Sequence, residues 1–159
     1  MTIVAGYTDG KQIAIAADSG AFEETSSLKM TTATPKIWAV GSTLQGGAGS
    51  FRALDVARRA NIEDPRMLAQ HLMEANLQGG WSVLVVTRKG IYELSEDGSV
   101  LRTKECYGAI GEGAPIAVGA LAACHRKRVG APAVIVRLAL DVCVRHSSAC
   151  STPLSVLSK

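Results

Sequence analysis

MTIVAGYTDGKQIAIAADSG, residues 1–20, decides how the rest of the chain is read. Two runs of strand type, Thr2 to Tyr7 and Gln12 to Ala17, flank the turn signal Thr8-Asp9-Gly10-Lys11, which predicts a β-hairpin. The second strand ends on Asp18. Met1 stands before a small residue, Thr2, of the kind beside which an initiator methionine is normally trimmed. Trimming makes Thr2 the first residue, and a threonine at a free N-terminus carries both halves of a nucleophile. Its hydroxyl attacks, and its α-amino group, with a pKa of about 8, can take the hydroxyl proton at neutral pH.

Asp18 follows Thr2 by sixteen residues, and Lys36-Ile37 follows Asp18 by eighteen. This TIVAGYTDGKQIAIAADS opening resembles a mature proteasome β-type subunit, or the peptidase ring subunit of the bacterial two-component heat-shock protease (HslV type). In that family an N-terminal Thr precedes an Asp by the same spacing, in a context such as AADS or AGDG. A Lys in a Lys-aliphatic pair then completes the site, and Lys36 implies about two extra residues in the intervening loop. A competing register sets Ile3 against the family's usual second Thr and Met1 at the nucleophile; the Asp spacing favours Thr2. The chemistry asks for all three types together. An ammonium beside the Thr hydroxyl and amine lowers their pKa values, and a carboxylate keeps that ammonium charged and oriented.

At 159 residues the chain is expected to form one domain, residues 1–159, with one site. Hydrophobic residues are 47% and charged residues 19%, which argues against disorder, and aromatics at 4% predict a core of Ala, Val, Ile and Leu. A formal net charge of +3, with no basic block interleaved with aromatics, gives nucleic-acid binding no support. The run His125-Arg126-Lys127-Arg128 reads as a solvated helix end. Cys106, Cys124, Cys143 and Cys150 have no CxxC spacing and read as reduced thiols, mostly packing. No apolar run is long enough to span a bilayer, and a cytoplasmic protein without membrane attachment is expected.

Further along, Ser19 to Thr34 reads as loop or irregular ribbon, whose Thr31 and Thr32 the resemblance brings near a peptide backbone. Pro35 to Val40 reads as a strand. Gly41 to Ser50, GSTLQGGAGS, reads as a turn, a short strand and a glycine-rich bend before a helix of Phe51, Leu54, Val56 and Ala57 spacing. GGAG lacks the Lys-Ser/Thr of a phosphate loop. The resemblance implies instead that Gly47 or Gly49 points its N–H at the oxyanion of a tetrahedral intermediate. A second helix, Asp64-Pro65 to Asn76, turns Met67, Leu68, His71, Leu72 and Ala75 inward, with His71 a packing residue. Trp81 to Thr87, Gly90 to Leu94, Val100 to Thr103 and Tyr107 to Ile110 read as a meander, with Glu96-Asp97-Gly98 a hairpin turn. Ala114 to Cys124 and Pro132 to Val144 read as helices, the second buried on more than one side, and Pro153 to Leu157 as a last strand.

The element order implies, through the resemblance, an α+β fold: the four-layer α-β-β-α sandwich of N-terminal nucleophile hydrolases. The implied function is a threonine peptidase that forms an acyl-enzyme on Thr2, needing no metal or organic cofactor. Peptide or unfolded-protein substrates, stacked hexameric or heptameric rings and an ATPase unfoldase partner are implied with it. Two departures bear on activity. Glu112 in Tyr107-Gly108-Ala109-Ile110-Gly111-Glu112-Gly113 replaces a Ser the family places near the amine. The loop after the last helix, Arg145 to Ser151, has serines but lacks the family's Asp. A ring protein of weak or lost activity, and an amidase for a small substrate, are the rival readings.

Overall fold

The computed structural model describes residues 2–23, 28–31, 34–148 and 150–159, with backbone alone for 21–23 and 28–31. The expected hairpin forms: β1 (Ile3–Thr8) pairs antiparallel with β2 (Ile13–Asp18), Val4 opposite Ala17 and Thr8 opposite Ile13. A short ribbon follows, β3 (Gly20–Glu23) paired with β4 (Leu28–Thr31). Then come β5 (Ile37–Val40), β6 (Thr43–Gly49), α1 (Phe51–Ala60), α2 (Pro65–Glu74), β7 (Trp81–Thr87), β8 (Gly90–Ser95), β9 (Val100–Arg102), β10 (Tyr107–Gly111), α3 (Ala114–Lys127), α4 (Pro132–His146) and β11 (Leu154–Ser158). Thr32 and the side chain of Thr31, expected near substrate, lie outside the described residues, as does Met1.

Two antiparallel sheets lie face to face, one in the order β10-β1-β2-β11 and the other β5-β6-β7-β8-β9. Side chains alternate across a strand, and here both faces are apolar because both are covered. From β1, Ile3, Ala5 and Tyr7 enter the core shared with α3 and α4. Val4 enters the core between the sheets, with Ile13 and Ile15 of β2 and Leu84 and Val86 of β7. Val83 and Val85 of β7 face the third core, against Leu54, Leu68 and Leu72 of α1 and α2. Three cores between four layers are the α-β-β-α sandwich.

Several expectations are corrected. GGAG is not a bend, since β6 runs straight through it. Gly46 and Gly47 sit where a Cβ would strike Val4 and Ile37 on one face and Leu54 on the other, so their lack of a side chain serves close layers rather than a turn. β10 leaves the meander and crosses to the other sheet, pairing with β1 so that Gly111 faces Ile3. Helical spacing placed Phe51 and Met67 inward, but they are 42% and 64% exposed, and Ala53 and Ala69 take the buried positions. His71 is half-buried on the rim of α2 rather than enclosed by it. Asp64 caps α2 as expected, its carboxylate accepting from the N–H groups of Arg66 and Met67 at 2.9 and 3.0 Å.

Candidate active site

Antiparallel pairing of β1 and β2 sets the start of one strand beside the end of the other, so Thr2 and Asp18 become neighbours across the hairpin's open end. β10 holds that end from the other side. Gly111 has φ of +97°, and a Cβ there would lie 2.3 Å from the Thr2 carbonyl oxygen, so only glycine lets the strand close over the chain start. Lys36 enters from the opposite sheet. Its carbonyl accepts from the Gly47 N–H at 2.9 Å, which fixes the residue just before β5 and sends its side chain to the hairpin end.

Thr2, Asp18 and Lys36 are all buried, at 7%, 2% and 4% exposure. Lys36 Nζ is 2.9 Å from Asp18 Oδ1 and also donates to Thr2 Oγ1 and to the Gly20 carbonyl. Thr2 Oγ1 donates to Asp18 Oδ1 at 3.2 Å, and the Ile3 N–H reaches the same oxygen at 3.0 Å. The other oxygen, Oδ2, accepts from the N–H groups of Gly20 at 3.0 Å and Ser151 at 3.2 Å. Burial pushes the Lys36 ammonium below its ordinary pKa, and the hydrogen bond and charge of Asp18 oppose that shift.

The structure thus brings Thr2, Asp18 and Lys36 to one point. The two glycines separate. Odd-numbered residues of β6 turn their N–H groups toward the β5 side, by the alternation of an antiparallel ladder. That of Gly47 is engaged by the Lys36 carbonyl, which removes it as an oxyanion donor. Gly49 lies beyond the start of β5, with φ of +94°. Glu112 is exposed, and its carboxylate makes no hydrogen bond or ion pair among the described residues.

Two contributors escaped the sequence reading. Cys150 is buried at the hairpin end, where its sulfur would meet a Cβ on Gly113 at 2.8 Å. Ser151 supplies a backbone donor to Asp18 from the loop that lacks the family's Asp. Ser19 Oγ, also buried, has no hydrogen-bond partner among the described residues.

No protein-family model matches the chain, and no curated protein matches it in sequence. Solved structures do. BPH of Thiobacillus denitrificans in complex with epoxomicin superposes with a TM-score of 0.81 at 21% identity, covering 100% of this chain and 98% of that one. A second structure of the same protein gives 0.77 at 23%, covering 100% and 97%. A eukaryotic HslV, from Trypanosoma brucei, gives 0.81 at 17%, covering 99% and 98%. The chain therefore has the proteasome/HslV type of N-terminal nucleophile hydrolase fold along essentially its whole length.

Proposed function

We propose that this chain is an N-terminal threonine peptidase, active once Met1 is removed, that hydrolyses peptide bonds through an acyl-enzyme on Thr2. The convergence of the Thr2 hydroxyl, the Lys36 ammonium and the Asp18 carboxylate in one buried cluster carries the reading. Thr2 Oγ1 attacks the peptide carbonyl while the α-amine accepts its proton. The Gly49 N–H faces the developing oxyanion, a donor whose loss typically costs about 10²–10³ in rate. The amine returns the proton to the departing nitrogen, leaving an ester on Thr2, and water activated by the same amine releases the acyl group. Lys36 holds positive charge beside the nucleophile, and Asp18 holds Lys36.

The exposed position of Glu112 supports an active site over a lost one, since its carboxylate is not tied to the nucleophile. Ring assembly is the second part of the proposal. Val134, Leu138 and Val142 recur at one-turn spacing on α4 and are 48%, 39% and 37% exposed, an apolar stripe of the kind that marks a protein interface. We assign it to contacts within stacked hexameric or heptameric rings that confine unfolded polypeptides, with an ATPase unfoldase as feeder and the cytoplasm as the setting. The likeness to HslV supports this.

The test is hydrolysis of fluorogenic peptides and of an unfolded protein, with sedimentation run in parallel. Thr2→Ala abolishes both activities and leaves the assembly intact. Hydrolysis that survives in Thr2→Ala contradicts the peptidase reading, and a monomer cleaving only a small amide replaces it with the amidase.

A further inference from the structure

The far end of β1 carries a second cluster of reactive groups. Tyr7 is five residues beyond Thr2, about 17 Å away at the rise of a strand. Its hydroxyl oxygen is 2.8 Å from His125 Nδ1, and Cys106 Sγ is 3.3 Å from the same nitrogen. The rings of Tyr7 and Tyr107 flank the imidazole with centroids at 5.9 and 5.8 Å. The Thr8 N–H donates to the Cys106 carbonyl at 2.8 Å, tying the sulfur-bearing loop to the strand. Three segments remote in sequence, β1, the loop before β10 and the last turn of α3, therefore converge on one thiol and one base.

Solvent reaches both groups, for His125 is exposed and Cys106 half-buried. They open on a cavity of about 460 Å³ whose wall includes Arg88, Lys89, Arg102 and Lys104. Asp9 and Glu105 line it too, but the Asp9 carboxylate is turned to its own turn, accepting from the N–H groups of Lys11 and Gln12 at 2.8 and 2.7 Å. The cavity is cationic on balance, and none of its lining residues belongs to the Thr2 cluster.

We propose that Cys106 is a thiol–disulfide exchange site, with His125 as its base and the cationic wall seating the carboxylates of a small anionic disulfide. Cys106 attacks one sulfur of R–S–S–R, and its proton passes to His125 Nδ1. The electron pair of the broken S–S bond leaves on R–S⁻, which takes the proton from the imidazolium. The products are Cys106–S–S–R and R–SH, and the disulfide is the only oxidant required. Tyr7 holds the imidazole in place for the transfer. Burial above all pushes its hydroxyl up to about 12, so it stays protonated at neutral pH. Its oxygen, 2.8 Å from Nδ1, accepts a hydrogen bond from Nδ1–H once the thiol proton has arrived there.

The other three thiols serve as internal controls, Cys124 half-buried on α3 and Cys143 and Cys150 buried. Intact protein is treated with oxidised glutathione or with cystamine, an anionic and a cationic disulfide, each rate normalised to a free thiol in the same buffer. Mass spectrometry then counts and maps the adducts. The expected result is one adduct on Cys106, formed about tenfold faster with the anionic probe, the preference collapsing at high salt. His125→Gln slows it by at least about tenfold with both probes. Arg88→Ala with Lys104→Ala removes the charge preference and keeps the cystamine rate. No adduct, equal rates for the two charges, or labelling of Cys124 as fast as Cys106 overturns the proposal, and the two-probe comparison needs no variant to fold.

Discussion

Two ionic clusters in this molecule have nearly the same bond lengths and opposite settings. On α1, Asp55 meets Arg58 at 2.8 Å and Arg59 at 3.0 Å, with every side chain at least 36% exposed. At the hairpin end, Asp18 meets Lys36 at 2.9 Å with side chains 0% and 3% exposed. Distance alone does not distinguish them. Water screens the first cluster and solvates either partner if the other is lost, so such pairs contribute only about 0–1 kcal/mol. The second has been taken out of water, and there Thr2, Ile3, Lys36, Gly20 and Ser151 all donate to the Asp18 carboxyl oxygens. A cluster so expensive to build and so poor a source of net stability fits the chemistry proposed for it better than a bracing role.

Breaking the buried pair gives the largest effect. Asp18→Ala is expected to lower unfolding free energy by about 3–5 kcal/mol and to abolish peptide hydrolysis, because Lys36 is then an orphaned buried charge. Denaturant titration checks the first and a peptide assay the second. Asp18→Leu combined with Lys36→Met is expected to be less destabilised than either single change, which sharpens the contrast by showing that the orphaned charge carries the cost.

Next comes Gly49→Ala. A φ of +94° and a Cβ placed 2.1 Å from the Gly80 carbonyl oxygen are expected to cost about 1–3 kcal/mol, with a loss of rate if that N–H serves the oxyanion. Unchanged stability and rate would remove Gly49 from the site.

Smaller still is the pH dependence of Lys36. Burial lowers its pKa, so between that value and the unfolded value of about 10.4 the unfolded chain binds more protons, and stability rises with pH across the window. The wild-type profile minus that of Lys36→Met, followed by denaturant titration from neutral pH upward, shows that rise. A flat or falling difference contradicts it. Smallest of all is Asp55→Ala, expected to shift stability by no more than about 0.5–1 kcal/mol despite removing two short ion pairs.

Much of this was legible in the sequence, and the parts that were not share a cause. The hairpin was readable because both strands are buried on both faces and spell out as unbroken apolar runs around an Asp-Gly turn. The resemblance to the proteasome/HslV family then linked Thr2 and Asp18 by their spacing, and Lys36 with about two extra residues in the loop between. Glycine misled at GGAG, since the same residue marks a turn and a close approach of layers, and only the packing of Val4, Ile37 and Leu54 decides which. β10 read as a fourth strand of the meander because nothing local records that its partner is β1, about a hundred residues earlier. Ser151 was missed for a plainer reason: it acts through its backbone N–H, which leaves no mark on side-chain identity.

Thr2 is proposed to become a free N-terminal nucleophile held by Lys36 and Asp18. The most direct measurement is the intact mass of the purified protein before and after reaction with a threonine-directed epoxyketone, with the adduct mapped. Loss of Met1, one adduct per chain on Thr2 and no adduct in Lys36→Met are expected. Retention of Met1, or a protein that lacks Met1 and still leaves Thr2 unlabelled, contradicts it.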